Sequence, residues 1–230
     1  MSTLLLRLAG PLQAWGCDSK FETRRTGREP SKSGVVGMLA AALGRKRDEP
    51  IDDLNDLRFG VRVDKEGVLL HDYHTVQMRS GKTYVTHRYY LSDATFLAGL
   101  ESDDAVWLET LQDALCNPVF PLFLGRRSCV PTLPVVLGIR PMSLMDALRE
   151  EPWQLSAWMQ EKEKRKGRVL LRLITDALPD DKFVAAQKDI PVSFHPGNRR
   201  YAYRPITEKM PVLIADCLPK NTDHDAMAEL

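Results

Sequence analysis

The sequence predicts an α+β fold: a ferredoxin-like palm over residues 1–140, a β-hairpin arm inserted into it at about 74–88, and a smaller C-terminal module over 141–230. Three observations carry this. A short apolar run at the start is followed by a well-capped helix and then a strand. A second strand–helix–strand series occupies the stretch up to about Ile139, and the two together give the order βαββαβ. Between them lies a basic, tyrosine-rich segment without Asp or Glu that fits neither half.

Thr3–Leu8 is apolar and bounded by Gly10-Pro11, as a buried first strand requires. The first helix runs from Ser31 to Leu43. Pro30 breaks the chain before it, Ser31 or Ser33 can cap its first N–H groups, and Gly44 stops it. Val35, Val36, Met38, Leu39, Ala42 and Leu43 give it a broad apolar face. Phe59–Val63 alternates like a strand, and Val68–Leu70 is positioned to pair back on it. Tyr73–Tyr90 reads as a projecting hairpin turning at Ser80-Gly81, and Leu91–Leu100 as the strand that returns to the core. Asp103–Leu115 is an amphipathic helix, with Val106, Trp107, Leu111 and Leu115 expected inward. Val119–Leu124 is expected to be a strand, and Thr132–Ile139 resumes apolar character. Met145–Lys166 is helical in composition, Arg168–Thr175 is a strand, and Ile190–Tyr203 contains a turn at Phe194–Asn198. Pro219–Leu230 reads as a frayed tail.

The 230 residues suffice for one large domain or two small ones. Net charge is +1, so a polyanion partner must be argued from patches and not from the total. The four cysteines, Cys17, Cys116, Cys129 and Cys217, are scattered without a CxxC pair, which points to reduced thiols and to no zinc site. No apolar run reaches the length of a membrane span, and a cytoplasmic location is expected.

The charges are segregated. Segments 20–47, 73–90 and 117–145 are depleted in acidic residues, while Asp and Glu gather at 48–56 and 101–113. Lys20, Arg24, Arg25, Arg28 and Lys32 lead into the first helix, whose N-terminus favours anions. Gly34 and Gly37 leave room there for a second backbone. Three basic loops near one sheet edge are what a nucleic-acid groove on a nearly neutral protein requires. No P-loop, dinucleotide fingerprint, HExxH or GxSxG motif occurs, and the five histidines, including His71, His74, His87, His195 and His224, form no obvious metal set. Lys82, Tyr84 and His87 on the arm are residue types that metal-free RNA cleavage uses, but also types that bind RNA by charge and stacking.

Five ordered motifs carry a resemblance: Leu-Arg-Leu-Ala-Gly-Pro-Leu-Gln-Ala-Trp-Gly at 6–16, Thr-Arg-Arg-Thr-Gly-Arg-Glu-Pro-Ser-Lys-Ser-Gly-Val-Val-Gly at 23–37, Asp-Tyr-His-Thr-Val at 72–76, Arg-Tyr-Tyr-Leu-Ser-Asp-Ala at 88–94 and Leu-Gly-Arg-Arg-Ser-Cys at 124–129. Together the chain resembles the CasD-type subunits of type I-E CRISPR Cascade, members of the RAMP group of RNA-binding proteins. The last third matches only through Phe194-His195 and the tyrosines near 201.

The resemblance implies a non-catalytic assembly subunit without cofactor or metal that caps the 5′ handle of CRISPR RNA. Its RRM/RAMP-like palm maps to about 1–140 and its thumb to about 74–88. The implied RNA-binding residues are Gln13, Arg24, Arg25, Arg28, Lys32, Ser33, Arg88, Arg126, Arg127 and Ser128. The implied thumb contacts are His74, Arg79, Lys82, Tyr84 and His87. Implied partners are the CRISPR RNA, CasC-type backbone subunits, the CasA-type large subunit and, through the complex, target DNA, with no membrane. The alternative is a metal-independent endoribonuclease that processes precursor RNA. Relatives in another subtype do this with a Tyr, Lys, His set in which Lys and His are adjacent, and no Lys-His dipeptide occurs here.

Overall fold

The apolar run that opens the chain forms β1 (Ser2–Ala9), whose side chains divide between two cores. The structure is a computed structural model and describes residues 1–16, 22–79, 81–182 and 184–215. Cys17, Lys20, Ser80, Cys217, His224 and the tail Pro219–Leu230 lie outside the described residues. In β1, Leu4, Leu6 and Leu8 enter one core and Leu5 the other, as a period of two dictates for a strand covered on both faces.

After β1 come β2 (Leu12–Gln13), β3 (Thr23–Arg24), α1 (Lys32–Ala42), α2 (Asp52–Asn55) and β4 (Arg58–Lys65). The hairpin strands β5 (Val68–Gln77) and β6 (Thr83–Ser92) precede β7 (Thr95–Ser102), α3 (Ala105–Cys116) and β8 (Val136–Arg140). The C-terminal part holds α4 (Leu144–Glu150), α5 (Ala157–Lys164), β9 (Val169–Asp176), β10 (Ala185–Ser193) and β11 (Arg200–Ala215).

The large sheet has the order β10-β11-β9-β4-β7-β1-β8, with every neighbouring pair antiparallel. Its β4-β7-β1-β8 half is a βαββαβ unit with α1 and α3 packed on one face. Phe96, Ala98 and Leu100 of β7 pack under that face with Leu39 of α1 and Leu111 of α3. On the reverse face Leu5, Leu97 and Leu173 meet Leu144 and Leu148 of α4. Each fully buried leucine contributes about 1.5–3 kcal/mol of transfer free energy. The C-terminal residues do not form a sheet apart: β9 pairs with β4 and carries β11 and β10 outward from the same sheet.

Four local expectations differ. Residues 119–124 are irregular, because Pro118 and Pro121 interrupt the run, and Val119 and Phe120 donate instead to Ala42 O and Ala41 O at the end of α1. Val68–Leu70 pairs with Tyr90–Ser92, so the hairpin begins earlier than the arm expected at 74–88. The helical stretch 145–166 is split into α4 and α5 around Pro152, and Val106 of α3 faces solvent. In β5 every residue but Asp72 is exposed, so the hairpin stands away from the core. No helix among the described residues is long and apolar enough to cross a membrane.

Candidate functional site

The loop ahead of α1 is anchored before it is basic. Ser31 caps the helix by accepting a hydrogen bond from Gly34 N at 3.2 Å. Trp15 lies flat against this first turn: a Cβ on Gly34 would sit 2.7 Å from the indole ring, so only glycine fits. The indole N–H donates to Gln13 Oε1 at 3.0 Å, and Gln13 Nε2 donates to Leu8 O and Ala94 O. The room at Gly34 is therefore filled by the chain's own Trp15 ring, and the Phe194 ring lies at ordinary contact distance over Gly37.

Beside this turn opens a cleft of about 780 Å³. Arg24 comes from β3, Arg88 and Tyr90 from β6, and Arg126, Arg127 and Ser128 from the turn after Leu124. The segment after α1 adds Arg45, Lys46 and Arg47, the turn between β10 and β11 adds Phe194 and Arg199, and β11 adds Tyr201. Phe120 and Phe123 complete the apolar part. Among the described lining residues eight are Arg or Lys and none is Asp or Glu. Arg45 is neutralised by Asp53, to which it donates at 2.6 Å, but the other cations crowd one space. Like charges held this close are unfavourable until a polyanion enters.

The fold holds the guanidinium of Arg126 in place. Arg126 donates to Arg24 O at 2.7 Å and to Arg25 O at 3.3 Å, and stands 4.7 Å above the Tyr90 ring. Among the described residues its Nη1 is buried with no hydrogen-bond partner, as is Nε of Arg88. Arg88 lies opposite Arg24 in the β3–β6 pairing, so these groups share one corner of the cleft. Buried donors without acceptors are costly and rare, and a phosphate oxygen is the acceptor that suits them.

Sequence reasoning brings Arg24, Ser33, Arg88, Arg126, Arg127 and Ser128 to this cleft. Arg25 and Arg28 are exposed on the same loop but do not line it. Gln13 and Lys32 need correction as surface residues, since both are buried. Gln13 is consumed by the bonds above. Lys32 Nζ donates to Leu57 O at 2.8 Å and sits 3.6 Å from Asp176, while its backbone N–H donates to Asp189. Burial pushes its ammonium below the ordinary value, and Asp176 opposes the shift. The anion at the start of α1 is thus the chain's own Asp189. Sequence reasoning omitted Lys46, Arg47, Phe120, Phe123 and Arg199 from the site. The absence of acidic residues from 117–145 was the available signal for the two phenylalanines.

On the hairpin, His74, Arg79, Lys82 and Tyr84 are exposed and His87 is half-buried. The β5–β6 register is unbroken, so Tyr84 and His87, three residues apart, point to opposite faces. Lys82, Tyr84 and His87 therefore do not converge as an acid–base set would. His87 Nδ1 lies 2.9 Å from His71 Nε2, and His71 stacks on Tyr89 at 4.6 Å. The described residues contain no group of three or more His, Cys, Asp or Glu able to hold a metal.

The family model described as CRISPR-associated protein (Cas_Cas5) matches residues 3–207. The CRISPR system Cascade subunit CasD of Escherichia coli (strain K12) is 40% identical over 159 residues, covering 60% of this chain and 70% of that protein. A chain solved in a CRISPR RNA-guided surveillance complex superposes with a TM-score of 0.76 at 35% identity, over 92% of this chain and 91% of that one. A solved Cas protein gives a TM-score of 0.72 at 40% identity, over 94% and 99%.

Proposed function

The chain belongs to the CRISPR-associated Cas5 family, and on that premise we propose that it is a CasD-type, non-catalytic RNA-binding subunit of a type I-E Cascade complex whose cleft holds the 5′ handle of CRISPR RNA. The observation that carries the reading is the acid-free lining of the cleft, where Arg and Lys alternate with aromatic rings. Cations neutralise the RNA backbone while Phe120 and Phe123 offer faces on which unpaired bases stack.

In this reading residues 1–140 are the ferredoxin-like palm, supported by the βαββαβ order of its strands. Residues 141–230 are a C-terminal module that extends the palm sheet, and the outer part of the β5–β6 hairpin, about 74–88, is the thumb. The thumb seats beside a CasC-type backbone subunit, a CasA-type large subunit lies next to the handle, and target DNA is met only through the assembly. The protein works in the cytoplasm without cofactor.

The test is the salt dependence of handle binding. Arg126→Ala with Arg127→Ala should weaken binding and reduce the slope of log K against log salt by about 1.4, at about 0.7 per lost contact to single-stranded RNA. An unchanged slope overturns the reading. Incubated with repeat RNA in chelator, the chain should produce no specific cut. Cleavage that His87→Ala or Lys82→Ala abolishes would establish a ribonuclease instead.

A further inference from the structure

We propose that the turn between β10 and β11, residues 194–200, is a second RNA-gripping wall of the cleft, with Arg199 contacting a backbone phosphate and Asp189 acting as its positioning residue. The proposal rests on the reading of the cleft as an RNA site, and concerns residues outside the palm. Phe194, Arg199 and Tyr201 line the same cleft as Arg88 and Arg126. Residues 190–207 contain no Asp or Glu. Arg199 is exposed on a turn that already faces a cluster of cations. A hairpin needed only for packing has no use for a further cation there, since the repulsion is relieved only by an anion between the walls.

The turn is held for such a role. His195 N donates to Ser193 Oγ, Gly197 N to His195 Nδ1 and Asn198 N to His195 O, so the turn is bonded within itself. The Phe194 ring rests on α1, 3.6 Å from where a Cβ on Gly37 would lie. Below it Asp189, fully buried, accepts from Lys32 N at 2.8 Å and from Arg204 at 2.8 and 2.7 Å. Arg204 continues to Asp176 at 2.6 Å, and Asn55 Nδ2 donates to Pro191 O at 2.8 Å. This network ties the hairpin to the first turn of α1, which is itself a wall of the cleft. The distance between the two walls is thereby fixed before RNA arrives, and preorganisation of this kind lowers the ordering cost of binding.

The experiment titrates a single-stranded RNA of handle sequence into the full chain at several salt concentrations. Arg199→Ala should weaken binding and lower the log–log salt slope by about 0.7, and Arg199→Lys should keep the slope. If Arg126→Ala with Arg127→Ala lowers the slope and Arg199→Ala leaves it unchanged, the second wall is refuted while the RNA reading stands. If neither changes it, the reading of the cleft itself fails. Asp189→Asn leaves Arg199 intact, so a purely structural role predicts that Arg199→Ala keeps its full effect in that background. Positioning predicts that most of that effect disappears, and the full effect persisting would overturn it. Where Asp189→Asn lacks a cooperative melt, Phe194→Ala takes its place in the same cycle with the same two outcomes.

Discussion

Gly125→Ala should damage both the fold and the cleft. Gly125 has φ +82°, and a Cβ placed on it would lie 1.8 Å from Ala14 O. The left-handed conformation costs about 1–2 kcal/mol for a residue with a Cβ. The overlap is with backbone, so Ala14 or the turn must move, at about 1–3 kcal/mol. That turn is pinned: Ala14 N donates to Leu124 O at 3.1 Å, Leu124 N to Cys129 O at 2.7 Å and Cys129 N to Arg126 O at 2.8 Å. A loss of about 3 kcal/mol corresponds to a fall of about 6–12 °C in Tm for a chain of this size. Ala14 precedes Trp15, and the turn carries Arg126, so handle affinity should fall in the same variant. Gly81→Ala is the control. Gly81 also has positive φ, +81°, but among the described residues nothing lies within 4 Å of its Cβ position. Thermal unfolding followed by circular dichroism separates the two. A Gly125→Ala shift no larger than that of Gly81→Ala would refute the close approach as the reason for glycine.

Two further outcomes follow from the charges and the hairpin. Burial raises the Glu29 carboxyl above its ordinary 4.5, with Arg172 opposing and Glu66 and Glu208 reinforcing. A raised acid contributes stability that is fully present below the unfolded value and is lost as pH rises through the folded one. Glu29→Gln should therefore raise Tm at pH 7 and give no gain below pH 4.5, and a lower Tm at pH 7 would contradict this. Replacing residues 77–86 by a short Gly-Ser linker should leave Tm of the isolated chain nearly unchanged, because the hairpin is exposed, yet prevent stable assembly with a backbone subunit. A large loss of Tm, or normal assembly, would count against the thumb assignment.

What the sequence revealed was local. Pro30, Ser31 and the apolar positions of 35–43 specify α1 from within the segment, and the scarcity of acid in three loops marks Arg24, Arg88 and Arg126. What it hid was long-range pairing. Lys32 looks like one more cation before a helix until Asp189, 157 residues on, and Leu57 O take its N–H groups. Gln13 resembles a surface amide because its acceptors, Leu8 O and Ala94 O, are backbone atoms that no letter announces. The run 119–124 is apolar like a strand, yet its prolines and the free carbonyls of α1 decide its path. The contribution of Arg199 depends on β11 joining β9, a pairing that periodicity alone does not fix.

The most direct measurement is zero-length ultraviolet crosslinking of the purified ribonucleoprotein, with the crosslinked peptides identified by mass spectrometry. The account predicts that 5′ handle nucleotides crosslink to peptides carrying Phe120, Phe123 and Phe194, which line the cleft. Crosslinks falling instead on the exposed Trp158 of α5, with the cleft aromatics silent, would contradict it.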